Sequence, residues 1–160
     1  MASQPQRAQH RIVVGVDGSP SSREALRWAV RQAELTGAGI QAVIAWHYPV
    51  MASGYAWAPV SPDQETDFRG IAAKVLAEEI AETVDPASSV QVSQQVVEGN
   101  AAAVLTDSAA GADLLVLGSR GHGGFASALL GSVSQHCAHH APCPLVIIRA
   151  PGRSPGQSAG

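Results

Sequence analysis

The sequence predicts an α/β fold: one domain built on a five-stranded parallel sheet with helices on both faces. Three observations predict it. Short apolar runs alternate with amphipathic stretches in the order β-α-β-α-β-α-β-α-β, the pattern that closes on a parallel sheet. Two of those runs end in functional-looking turns, Asp17-Gly18-Ser19-Pro20 and the glycine stretch from Gly118, and ligands of such sheets bind outside strand carboxyl ends. The chain has 160 residues, 46% of them apolar, which suits one core of ordinary size.

Residues 1–10 are polar and predict a disordered N-terminus. Residues 11–16 (RIVVGV) form an unbroken apolar run, a buried strand. Ser19 before Pro20 is an N-cap with proline at the first helical position; Ser21 with Glu24 is an alternative capping box. The helix runs to about Thr36, with Leu26, Ala29, Val30 and Ala33 as its apolar stripe and Gly37 as its stop. Residues 40–46 (IQAVIAW) are the second strand. The connection 47–61 is long and carries Tyr48, Tyr55 and Trp57, the kind of loop that serves as a lid or a contact surface. Ser61-Pro62 with Gln64 predicts the next helix start; its apolar face is Phe68, Ile71, Ala72, Val75, Leu76 and Ile80. Residues 90–97 alternate at first, as an outer strand does. A short alanine-rich helix follows Gly99-Asn100 and ends near Gly111. Then come a strand at 114–117, the glycine loop, a helix at 132–140 stopped by Pro142 and Pro144, and a fifth strand at 145–148. Residues 150–160, rich in Pro, Gly and Ser, predict a flexible tail. No internal repeat is visible, so the domain occurs once.

Composition narrows the function. No run approaches the ~18 apolar residues of a membrane span, and residues 1–11 lack the apolar centre of a signal peptide; the expected location is the cytoplasm. A net charge of −3 without a long basic run disfavours nucleic acid as the main partner. Beyond Asp113 there is no acidic residue, while Arg120, Arg149, Arg153 and four histidines remain, a setting that suits an anionic ligand.

The stretch 114–134 (LLVLGSRGHGGFASALLGSVS) is the chemical centre of the chain. It reads as strand, glycine loop and helix start, with Ser132 as cap and Gln135 completing a capping box. Bare backbone N–H groups and the helix dipole favour phosphate at such a start. A Walker A loop is absent, since no Gly-Lys-Ser/Thr occurs. GHGGFA at 121–126 matches the dinucleotide pattern, but it follows the fourth strand and has no acid downstream to hold a ribose, so a nicotinamide dinucleotide is excluded.

The spacing Gly118-x2-Gly121-x9-Gly131-Ser132 resembles the signature of the ATP-binding branch of the universal stress protein family. The first strand running into Asp17-Gly18-Ser19, the GADLLVLGSRGHGG segment and the ending HAPCPLVIIR resemble the same family, from about Arg11 to Arg149. The resemblance implies a Rossmann-like sheet of the adenine nucleotide α-hydrolase-like kind over 11–149, and ATP, carried with Mg²⁺, as ligand. It implies that Leu117, Gly118, Arg120 and Gly121 line the nucleotide near ribose and phosphates. Gly131, Ser132, Val133 and Ser134 would hold the phosphates through main-chain N–H groups and the two hydroxyls. Gly15, Val16 and Asp17 would reach the adenosine, with Asp17 on the ribose hydroxyls or on the metal. The second strand's end, at Ala45 and Trp46, would meet adenine through its main chain.

His136, Cys137, His139, His140 and Cys143 invite a zinc reading, but the cysteines do not form a C-x2–4-C pair and a helix on a sheet must divide them between core and solvent. The expectation is a core cysteine with surface histidines. No Ser-His-Asp or Cys-His arrangement and no general base is visible, so any ATP hydrolysis should be slow. At a sheet edge, Leu145, Val146, Ile147 and Ile148 would expose an unpaired ribbon that a second copy can cover, giving a homodimer; the resemblance implies the same. The function expected is an ATP-binding stress-response switch. The alternatives are a dimeric interaction protein that binds no nucleotide, and a slow ATPase.

Overall fold

The computed structural model describes residues 9–48, 66–121 and 129–151. The expected disordered N-terminus (to residue 8), most of the aromatic loop, the helix start at Ser61-Pro62, His122 with Gly123 and Gly124, and the tail from residue 152 lie outside the described residues.

Five strands and four helices follow one another as β1(Arg11–Gly15), α1(Pro20–Thr36), β2(Gly39–Trp46), α2(Phe68–Thr83), β3(Val92–Glu98), α3(Ala101–Ser108), β4(Leu114–Gly118), α4(Ser132–His140) and β5(Leu145–Ile148). The sheet order is β3-β2-β1-β4-β5, and every pairing is parallel. Successive strands pass from β1 outward through β2 to β3, then return to β4 on the other side of β1. The switch point therefore falls between β1 and β4, and both β3 and β5 are edges of this sheet.

Alternation along each strand builds two cores. Ile12, Val14, Ile40, Ala42, Ile44 and Val116 face α1 and α2, where Leu26 and Leu76 are fully buried. Val13, Val43, Leu115 and Leu117 face the other way, against Val104 and Leu105 of α3 and Cys137 of α4. Each large buried aliphatic contributes about 1.5–3 kcal/mol relative to an exposed one. No helix among the described residues is long and apolar enough to cross a membrane.

Local chemistry sets the helix ends. Ser19 caps α1, its side chain accepting from the Ser22 N–H, with Pro20 in the first turn; Gly37 ends the helix in the left-handed region at φ 74°. Ser21 makes no capping box: it is buried, and its Oγ donates to the Arg120 carbonyl. Within the described residues α2 has a cap of its own. The helix begins at Phe68 because Asp67 supplies the cap, its Oδ1 accepting the Gly70 N–H at 2.8 Å. On its expected apolar face Ile71 is exposed, and the buried Glu79 joins the core side instead, held by Arg23 Nε of α1 at 2.7 Å. The capping box at Ser132 is also replaced. Gly131 occupies the cap position without a side-chain bond, Ser132 is the first helical residue, and Gln135 Nε2 donates to the Leu130 carbonyl.

Candidate functional site

A cavity of about 390 Å³ opens at the carboxyl ends of β1 and β4, at the switch point. Its size is that of a small-molecule site. Of the residues expected to contact nucleotide, the structure brings all but Trp46 to its wall: Gly15, Val16 and Asp17 from β1, Leu117, Gly118, Arg120 and Gly121 from β4, and Gly131, Ser132, Val133 and Ser134 from the α4 start.

Each wall is fixed by hydrogen bonds its own sequence supplies. The β1 end is tied to β2 by the Val16 N–H donating to the Val43 carbonyl at 2.8 Å. Asp17 Oδ1 accepts the Ser19 N–H at 2.8 Å, which orients the carboxylate at the rim. Beyond β4 the chain is clamped from α1. Ser19 Oγ and Ser21 Oγ both donate to the Arg120 carbonyl, at 3.2 and 2.5 Å. The Gly131 N–H donates to the Ser119 carbonyl at 2.7 Å, which docks the α4 start onto the β4 end. Ser134 is buried, and its Oγ donates to the Gly118 carbonyl at 2.8 Å. Of the two hydroxyls expected to face a phosphate, Ser134 is therefore committed to the wall, and the exposed Ser132 stands at the surface of the site. The N–H groups of Ser132, Val133 and Ser134 lie in the first helical turn, where an α-helix offers them no carbonyl.

Two glycines have opposite reasons for being glycine. A Cβ on Gly118 would come within 2.7 Å of the Ser22 nitrogen, so packing against α1 forbids one. Among the described residues a Cβ on Gly131 would meet nothing closer than 3.5 Å, and its φ of −70° with ψ 167° suits any residue. Nothing within the described fold requires glycine at 131.

Trp46 is the exception because of strand alternation. Ala45 and His47 line the cavity, whereas Trp46 points to the opposite face, among the residues around α1 and α2, edge-on to Tyr48 at 5.3 Å. Val43, Ala45, His47, Ala101, Leu105 and Ser22 complete the wall. Ala45 was expected at the site; Val43 and His47 share its two-residue period along β2, and that period was the signal that could have found them.

The cluster near the end divides between core and solvent. Cys137 is fully buried with its Sγ 3.9 Å from Thr106 Oγ1, and burial pushes its thiol above the usual range. His136, His139 and His140 are exposed, and Cys143 is half-buried. Among the described residues no group of three or more His, Cys, Asp or Glu is placed to hold a metal.

The sequence model of the Universal stress protein family matches residues 9–149. A universal stress protein of Mycobacterium tuberculosis is 35% identical over 150 residues, covering 86% of this chain and 47% of that protein. The chain thus spans about half the length of the curated relatives it matches. A universal stress protein whose crystal structure is a complex with cAMP is 26% identical, with a TM-score of 0.56 over 90% of this chain and 99% of that one. A protein whose biochemical function was assigned from its structure shares the fold at a TM-score of 0.73, with 16% identity over 90% of this chain and 98% of that one.

Proposed function

The chain belongs to the universal stress protein family, and we propose that its cavity binds ATP, making the protein a nucleotide-dependent regulatory switch that works as a homodimer in the cytoplasm. The observation that carries the reading is Gly131. The described residues leave room for a Cβ there and the backbone conformation asks for no residue in particular. Bare backbone at that point lets a phosphate reach the N–H groups of Ser132, Val133 and Ser134 at the positive end of α4. That a relative with 26% identity is found with cAMP supports an adenine nucleotide as the class of ligand.

The donor set fits the ligand. The apolar floor of Val43, Ala45, Leu105 and Leu117 suits a base, Asp17 suits ribose hydroxyls, and Arg120 brings positive charge to the side where phosphates would lie. A Mg²⁺ ion, a hard cation that takes oxygen ligands, would find the Asp17 carboxylate at the same rim; it would neutralise phosphate charge there. The outer edge of β5, unpaired among the described residues and with Leu145, Val146, Ile147 and Ile148 half-buried, supports pairing with a second copy.

The test is direct. The purified protein is denatured and the supernatant analysed for released nucleotide; ATP is the expected product, and added ATP is expected to raise the melting temperature of nucleotide-free protein. No released nucleotide together with no thermal shift contradicts the reading.

A further inference from the structure

We propose that His136 and His140 form a two-imidazole site for a divalent transition-metal ion on the exposed face of α4. The pair stands one helical turn apart, at i and i+4, where side chains on a helix meet. Both side chains are exposed, and their ring centres lie 4.5 Å apart with 38° between the ring planes.

That separation is informative. With metal–nitrogen bonds of about 2.0–2.1 Å and a ring nitrogen about 1.1 Å from its ring centre, two imidazoles at right angles on one ion have centres about 4.5 Å apart; tetrahedral placement gives about 5.1 Å. The observed spacing of the ring centres lets both rings reach neighbouring positions on one square or octahedral ion. Imidazole nitrogen with water at the remaining positions suits Ni²⁺ and Cu²⁺, not Mg²⁺ or Ca²⁺, which prefer oxygen ligands. His139 and His140 are 6.4 Å apart, too far for the same geometry.

The surroundings favour a cation. Both histidines sit in the last two turns of α4, at the negative end of its dipole. A nine-residue helix depends on its contacts for stability, so an ion bridging its last turns holds the whole element. The same helix presents Ser132, Val133 and Ser134 to the cavity at its other end. The metal site itself stands independently of what the cavity binds.

The experiment is a calorimetric titration of the full chain with Ni²⁺ at pH 7.5, without added nucleotide, paired with melting curves. The wild type is expected to bind Ni²⁺ and to melt at a higher temperature in its presence. His136→Ala and His140→Ala are each expected to weaken binding at least tenfold and to lose the thermal shift; His139→Ala is expected to change affinity less than twofold. His136→Gln and His140→Gln, which keep length and polarity, serve if an alanine variant fails to fold. No binding by the wild type, unchanged affinity in the His136 and His140 variants, or an equal loss in His139→Ala overturns the site. Retained nucleotide that held Ni²⁺ through its phosphates would show as unchanged affinity and count against it.

Discussion

Gly118 and Ser21 approach so closely that a single Cβ on the glycine would lie 2.5 Å from Ser21 Oγ and 2.6 Å from the Ser21 carbonyl carbon. The end of β4 thus runs directly over the first turn of α1, and both walls of the cavity are set by that contact. Gly118→Ala should force the two apart and cost about 1–3 kcal/mol, as overpacking does. Urea denaturation of the variant against the wild type measures it; an unchanged midpoint would mean the contact yields freely.

Ser134 should matter through its hydroxyl alone. It is buried and donates to the Gly118 carbonyl, so Ser134→Ala removes one bond and leaves that acceptor without this donor. A loss of about 1–3 kcal/mol is expected, together with weaker ATP binding because α4 is no longer fixed to β4. Ser132→Ala, at an exposed position, should leave stability nearly unchanged. Equal stabilities for the two variants contradict this division of labour.

The N-terminal edge of the domain should respond to acid. The Asp113 carboxylate accepts the Arg11 N–H at 2.7 Å and faces His10 Nδ1 at 3.2 Å, and these bonds hold its pKa below the usual carboxylate value. A depressed folded-state pKa gives stability that is present above the unfolded value and is lost as pH falls through the folded one. Asp113→Asn should therefore be less stable than wild type at pH 7, with the difference shrinking as the pH drops below the ordinary aspartate range. Thermal melts across that range check it; a difference that is constant with pH contradicts it.

The edge strand offers a test of association that leaves the fold alone. The carbonyls of Pro144 and Ile148 accept from β4, so by strand alternation the N–H of Ile147 points away from β4, toward the outer edge of the sheet. Ile147→Pro should yield a folded monomer in sedimentation equilibrium. Val146→Pro, whose N–H faces β4, should instead destabilise the fold. A dimer that survives Ile147→Pro contradicts pairing through β5.

Much of this architecture was legible because each strand is a short apolar run and each helix carries its own stop or cap. The α1 boundaries follow from Ser19, Pro20 and Gly37 without tertiary information. The cavity was legible as a spacing, since Gly118, Gly121, Gly131 and Ser132 meet at one point only if strand, loop and helix fold in that order. What was not legible depends on neighbours distant in sequence. The role of Ser134 requires knowing that the Gly118 carbonyl lies beneath it. Trp46 was expected at the site through its main chain; its side chain lies on the opposite face from Ala45, because a shift of one residue turns a side chain from one layer to the other. The burial of Glu79 depends on Arg23 in another helix, and no local pattern announces it.

The central claim is that Gly131 is glycine for the sake of a bound phosphate. Calorimetric titration with ATP of the wild type and of Gly131→Val combined with Ser132→Ala tests it most directly. The account predicts binding by the wild type and none measurable in the variant, with the nucleotide-free variant still folded and its melting temperature lowered only by the poorer helix cap that valine makes. Equal ATP affinity in the two proteins would contradict it.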